Sequence, residues 1–425
     1  MKKIIHIFLL VLLTIGIGPV ISAQNVSVWD GTAAIWTQGS GTEDDPYLIE
    51  SAQNLAYIAE MVNGGVTTYS GVYFKLTTDL NLNYLSWIPI GNSTNSFWGK
   101  FNGDNHFIDS VKIMNSDTQS GLFGRTVMAQ ITNLGVNTYI TSGRHSGGIV
   151  GVAVQTEISH CFNTGDFSIT YVQTSSTGNG ATGGIVGLCS QCTISNCYNT
   201  GNISCSNSTN STVTPTSWST RGPGVGGIVG ETNNEVSISN CFNTGVVSAS
   251  SIYYNTSAGG ICGYYSRATS IVDCYNTGDI LSIRTNGLTN ITNENYAGGI
   301  VGYVKTPESG ALTLTKISNC YNTGNVSTDA QASNYVYNKV YAGGILGYGA
   351  SSYYEYFYII NCYNTGSVST AFSGTYGSTA GNYRYVYGIG NGICKNCYNI
   401  GALSGYDEKQ IGNNSSNHCC PVKTD

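Results

Sequence analysis

The chain is poor in charge. Asp, Glu, Lys and Arg make up only 9% of its 425 residues, and the net charge is −6. Binding nucleic acid needs a concentrated basic footprint, so that partner is excluded. Disorder needs high charge and few aromatics, whereas this chain holds 31 tyrosines. Proline (7) and histidine (5) are scarce, and the one long apolar run lies at the start. Helical periodicity is also scarce between the glycines, which excludes helical repeats. What is abundant is Gly, at 55 residues, with Ser, Thr, Asn, Tyr and regularly placed Ile and Val. That composition suits many short strands and tight turns. Length alone suggests two or three domains, but internal repeats overrule it.

The opening, MKKIIHIFLLVLLTIGIGPVISAQ, has two lysines before an apolar run that ends at Ser22–Ala23. It predicts a secretory signal peptide over 1–23, cleaved after Ala23. The rival is a retained anchor, disfavoured by Gly16, Gly18 and Pro19 within a run short for a spanning helix. The expectation is an exported chain, secreted or at the cell surface, with no transmembrane anchor after cleavage.

One phrase recurs: ISHCFNTGDFS (158–168), ISNCYNTGNIS (194–204), ISNCFNTGVVS (238–248), IVDCYNTGDIL (271–281), ISNCYNTGNVS (317–327), IINCYNTGSVS (359–369) and CKNCYNIGALS (394–404). A second phrase keeps step with it: GGIVG at 147–151, 183–187, 226–230 and 298–302, GGICG at 259–263 and GGILG at 343–347. YGIGNG (387–392) is a faded copy and GLFG (121–124) an ancestral one. Successive cysteines are 33 to 46 residues apart. That period, without a propeller blade signature, predicts a parallel β-helix, an all-β solenoid with one coil per repeat.

Coils stacked at ~4.8 Å lay like residues over one another. The phrase then predicts ladders of Cys161, Cys197, Cys241, Cys274, Cys320, Cys362 and Cys397, and of Asn163, Asn199, Asn243, Asn276, Asn322, Asn364 and Asn399. A glycine ladder would follow, at 165, 201, 245, 278, 324, 366 and 401. NTG reads as a turn, because Asn and Gly tolerate positive φ. Ile194 and Cys197 are three apart, so both face the core only if the strand bends near Ser195–Asn196. Variable segments such as 205–225 and 303–316 are loops leaving fixed corners. At the front, Ser51 is an N-cap, Leu55, Ile58, Ala59 and Val62 hold helical spacing, and Gly64 marks the end. One short helix is expected to cap the first coil against edge pairing. The organisation expected is signal peptide 1–23, cap and early coils 24–120, repeats 121–405 and a tail or cap 406–425.

GGIVG followed by ISNCYNTGNIS resembles the GLUG-motif repeat of bacterial secreted and surface proteins. The stretch GSGTEDDPYLIESAQNLAYIAEMVN, then YFKLTTDLNL, WIPIG, FNGDNHFIDSVKI and GLFG, resembles the leader that precedes such repeats. The resemblance covers about 29–405 and implies a β-solenoid stalk or adhesin-like surface. The family also occurs beside a zinc peptidase domain in immunoglobulin-cleaving proteins. The HExxH helix of that domain is absent: the histidines are His6, His106, His145, His160 and His418.

Three groups of residues invite chemistry. The cysteine ladder reads as buried small hydrophobes, because ITNLGV (131–136) places Leu134 at the cysteine position. Disulfides between coils are the rival, favoured by export but not by parallel Cβ vectors. Cys189–Cys192 and Cys394–Cys397 are C-x-x-C pairs five coils apart, too far to share a zinc. A local Cys189–Cys192 disulfide stays open, and no metal or cofactor is expected. Asp166, Asp273 and Asp279 read as solvated turn residues; Asp104, His106 and Asp109 as a turn between early coils; TEDDP (42–46) as a surface turn. Finally, tyrosines thicken toward the C-terminus. Tyr353, Tyr354, Tyr356, Tyr358, Tyr383 and Tyr385 are either stacked packing or an exposed docking strip for a glycan or extracellular protein. The expected function is a non-catalytic, adhesin-like binding surface. A polysaccharide-active β-helix enzyme and a structural spacer are the alternatives.

Overall fold

A computed structural model describes residues 26–114, 119–173, 180–209, 221–252, 254–266, 270–285, 292–305, 315–331, 337–350, 357–373 and 382–405. The leader 1–23, the tail 406–425 and Tyr353, Tyr354 and Tyr356 lie outside the described residues. The remainder is a parallel β-solenoid: strands of successive coils pair in parallel into four long sheets of 18, 11, 8 and 7 strands.

The coil around Cys197 illustrates the path. Ala181–Gly183 belongs to the 8-stranded sheet, and Val186–Ser190 to the 7-stranded sheet. Thr193–Ser195 belongs to the 11-stranded sheet; Tyr198–Asn199 and Ile203–Thr209 both belong to the 18-stranded sheet. Register is one-to-one from coil to coil, apart from shifts at Val136–Thr138 and Arg221–Gly224. Ile158 pairs with Ile194, and Ile194 with Ile238; Asn163 pairs with Asn199, and Asn199 with Asn243. GLFG takes the corner position, since Phe123 pairs with Val150.

The bend inferred from side-chain parity is present at the expected place. Asn196 has φ 54°, and its equivalents His160, Asn240, Asp273, Asn319, Asn361 and Asn396 lie between 52° and 55°. A left-handed residue turns the strand and returns Cys197 to the interior, and Asn and Asp enter that region at least cost. In contrast, NTG is not a positive-φ turn. Neither Asn199 nor Gly201 has positive φ; Asn199 is a fully buried strand residue. Gly201 is required by proximity instead, because a Cβ there would lie 2.0 Å from the carbonyl oxygen of Gly165 one coil away.

The helix, Ala52–Asn63, follows the expected signals. Ser51 caps it by accepting from the Asn54 amide, and Leu55, Ile58, Ala59 and Val62 are buried in the continuous core. The Gly64 amide closes the last turn on the Glu60 carbonyl. Asp104 and Asn105, with φ 49° and 67°, make the expected turn. It is a corner within one coil, joining Lys100–Asn102 of the 11-stranded sheet to Phe107–Ile113 of the 18-stranded sheet.

Candidate functional site: the outward face of the repeat phrase

After the bend the phrase runs as extended chain, so its side chains alternate. In ISNCYNTGNIS, Cys197, Asn199, Gly201 and Ile203 are buried. Asn196, Thr200 and Asn202 are exposed and Tyr198 is half-buried. One phrase therefore writes two surfaces.

The inward surface is architecture. Leu134 and all seven ladder cysteines are buried. Leu134 holds the cysteine position: its carbonyl accepts from the Phe162 amide as the Cys161 carbonyl does from that of Tyr198. The seven thiols are free, and each donates to the carbonyl two residues back, as Cys241 does to Ser239 at 3.1 Å. Burial pushes the Cys197 and Cys241 thiols well above the ordinary range, the reverse of what a nucleophile requires. Cys189 and Cys192 are also free and buried, so the local disulfide is not formed. Cys394 is disulfide-bonded while Cys397 is free, so this C-x-x-C pair does not bridge itself either.

Next to the thiols runs the amide ladder. Asn163 donates through Nδ2 to Asn199 Oδ1 at 2.8 Å, and the pattern continues through Asn243, Asn276, Asn322, Asn364 and Asn399 at 2.7–2.8 Å. Each Nδ2 also donates to the carbonyl of the glycine two residues on, at 2.7–2.9 Å. Buried amides are costly unless satisfied, and here each is satisfied by its own repeat and the next.

The outward surface is a panel of parallel rows. Its spine is a stack of eight rings: Phe107, Phe162, Tyr198, Phe242, Tyr275, Tyr321, Tyr363 and Tyr398. Centroids are 4.8–5.8 Å apart and neighbouring planes within 16° of parallel. On one side lies the bend row, where Asn319 bonds Asp273 at 2.9 Å, Asn361 bonds Asn319 at 3.1 Å and Asn396 bonds Asn361 at 3.2 Å. On the other lie Thr164, Thr200, Thr244, Thr277, Thr323 and Thr365, then Asp166, Asn202, Val246, Asp279, Asn325 and Ser367. Asp166, Asp273 and Asp279 are exposed, and Asp273 sits at the bend with φ 55°, but each also bonds a neighbouring coil. Asp166 Oδ1 accepts from the Asn202 amide and Asp279 Oδ1 from that of Asn325, tying adjacent coils.

This stack is the feature that sequence reasoning missed. The signal was available: with the cysteine placed inward, the adjacent Tyr or Phe must point outward on every coil. The C-terminal tyrosines behave differently. Tyr358 is half-buried in the 11-stranded sheet, whereas Tyr383 and Tyr385 lie in the 8-stranded sheet, so these three do not form one strip. Tyr385 stacks on Tyr341 at 4.6 Å, and Tyr341 on Tyr296 at 5.4 Å. Tyr296 and Tyr341 are buried, and burial drives both phenols well above their ordinary range. Tyr296 donates to Glu294, whose carboxylate lies 3.5 Å from Lys339 Nζ. Tyr296 and Tyr341 are thus packing, whereas Tyr383 is exposed.

The early acidic residues are likewise engaged. Asp79 bonds His106 at 3.0 Å, Asp104 pairs with Lys75 at 2.9 Å, and Asp109 accepts from Asn137 at 2.8 Å. The Asp45 carbonyl closes the TEDDP turn on the amides of Ser40, Gly41 and Thr42. Among the described residues, no three His, Cys, Asp or Glu side chains are grouped to hold a metal ion, and no helix is long and apolar enough to cross a membrane.

Fold and face together define a repeat β-solenoid with a uniform interior and a ladder-built exterior. Residues 254–281 match the family model of the GLUG motif. That segment holds one corner, GGICG, and one phrase, IVDCYNTGDIL, and the same unit stacks in register on the other coils. The chain thus carries the GLUG motif in a unit that recurs along its solenoid. Over 131 residues it is 35% identical to a protein of Evansella cellulosilytica named "Putative Gly-rich membrane protein", an alignment covering 29% of this chain and 14% of that protein. The chain thus matches only a small part of that relative's length. Among solved structures it is similar to a "putative immunoglobulin A1 protease" from Bacteroides ovatus, with TM-score 0.48 and 22% identity, over 69% of this chain and 80% of that one.

Proposed function

We propose that this chain is a non-catalytic, exported β-solenoid that presents an adhesin-like binding surface at the bacterial exterior. The observation that carries the reading is the outward panel. It presents mainly neutral amides, hydroxyls and ring edges from coil to coil, and its three carboxylates are spent on bonds between coils. A hydrolase or lyase needs carboxylates converging on one bond to be broken; a binding surface needs rigid, preorganised contact groups. Location at the exterior is supported by the secretory leader that the sequence predicts over 1–23 and by the membrane label of the Gly-rich relative. Residues 24–120 act as cap and early coils and 121–405 as the solenoid repeats that carry the panel. No cofactor takes part.

The test is an array of glycans and extracellular matrix proteins probed with the purified mature chain. Saturable binding to any target is the expected result. No binding at all would favour a spacer. Release of reducing or unsaturated sugar ends from a polysaccharide set would overturn the non-catalytic reading.

A further inference from the structure

The panel sets narrow chemical limits on what it can hold. We infer that it binds a neutral, unbranched polysaccharide laid along the solenoid axis, across the row Tyr198, Phe242, Tyr275, Tyr321 and Tyr363. The inference rests on the binding reading above and names the ligand class and the site.

Charge is the first limit. In the bend, ring, threonine and following rows of the seven phrases, three positions are carboxylates, Asp166, Asp273 and Asp279, and none is Lys or Arg; one exposed cation, Lys395, stands beside the bend of the last phrase. Recognition of phosphate, sulfate or uronate depends on charge-assisted donors, usually Arg or Lys. Along the Tyr198–Tyr363 stretch, where the phrases hold Asp273 and Asp279 and no cation, polyanions are therefore repelled rather than held.

Apolarity is the second limit. The rings stack with planes nearly parallel, at 0° to 4° from Phe162 to Tyr398. Their faces cover one another, so solvent meets ring edges and phenol hydroxyls. That leaves a narrow apolar spine between rows of amides and hydroxyls. The fully desolvated core of a protein–protein interface is broader and more apolar. A chain of sugar rings, by contrast, alternates C–H and O–H groups across a narrow width and fits such a spine between polar rows.

Periodicity is the third. Ring spacings of 4.8–4.9 Å persist from Phe162 to Tyr363. A homopolymer can repeat one set of contacts on such a surface, and each further contact raises the effective concentration for the next. The backbone beneath is paired on both sides, so little conformational freedom is lost on binding.

Calorimetric titration of the mature chain with an unbranched neutral glucan, a polyuronate, a sulfated glycan and purified matrix proteins tests this. The expected result is binding of the glucan alone, tightening with oligosaccharide length. Tyr275→Ala with Tyr321→Ala should weaken it at least tenfold, about 1.4 kcal/mol. Because ring removal could loosen the stack, Thr277→Lys with Thr323→Lys is the second variant. Both threonines are exposed on the panel, so binding should be lost with the thermal midpoint unchanged. Ser237→Lys, exposed on the 11-stranded sheet, should change neither. Preference for a polyanion or a protein, or glucan binding indifferent to the panel lysines, overturns the inference and leaves the adhesin reading intact. Absence of binding to every probe overturns both.

Discussion

Gly260 and Asn276 interlock. A Cβ on Gly260 would lie 2.4 Å from Cγ of Asn276 and 2.1 Å from the carbonyl oxygen of Gly299 on the next coil. The two recurring phrases are thus one device: the bare corner of GGICG admits the buried amide of CYNTG. Gly227 meets Asn243 and Gly299 meets Asn322 in the same way. Gly260→Ala leaves the added methyl nowhere to go, since one of its neighbours is backbone. We expect a loss of more than about 3 kcal/mol, or no folding, read by urea denaturation.

Asn276→Ala tests the amide ladder. It strips Asn243 Nδ2 of an acceptor and Asn322 Oδ1 of a donor. Leaving two buried groups short of partners should cost about 2–5 kcal/mol. A change below about 0.5 kcal/mol would mean that the ladder is not a source of register or stability.

The bend makes a third prediction. Asn319 holds φ 54° and is exposed. Asn319→Val should cost about 1–2 kcal/mol, because a β-branched residue resists the left-handed region. Asn319→Gly should be near neutral. Equal effects of both, measured as shifts in the denaturation midpoint, would show that backbone strain is not what Asn319 relieves.

Stability should fall in alkali. Burial pushes the Cys205 thiol up to about 12, and its bond with Cys320, then burial, pushes Cys362 up to about 12, both from an ordinary value of 9.0. A raised folded-state value means that the unfolded chain releases its protons first. The contribution is therefore complete below pH 9 and lost progressively between about 9 and 12. Each such thiol adds a slope of about 1.4 kcal/mol per pH unit in that window. Buried Tyr296 and Tyr341 add to the loss above pH 10. Denaturation midpoints at several alkaline pH values, with thiolate absorbance followed in parallel, should fall together. A flat profile to pH 11 would contradict the burial of these groups.

Much of this was legible in the residues. Parity between Ile194 and Cys197 locates the bend, and Leu134 assigns the cysteine to the core. Ser51, Gly64 and the apolar stripe between them fixed the helix. The role of Asn199 was misread, because Asn serves turns and buried ladders alike and composition does not separate them. Counting alternation onward from Cys197 would have separated them, and would have placed Tyr198 outside. The need for Gly260 and Gly201 was not legible at all. It depends on how near the neighbouring coil comes, which a single coil's sequence does not state. The tyrosine-dense segments drew attention by number, whereas the organised ring stack carries one aromatic per coil.

The central claim is that the repeated cysteine is core and not chemistry. Thiol titration tests it most directly. The eleven cysteines Cys161, Cys189, Cys192, Cys197, Cys205, Cys241, Cys262, Cys274, Cys320, Cys362 and Cys397 are free and buried. In the native protein they should not react with a thiol reagent, and in denaturant without reductant all eleven should, with Cys394 still crosslinked. Native reactivity of the ladder thiols, or disulfides among them in denaturant, would contradict the account.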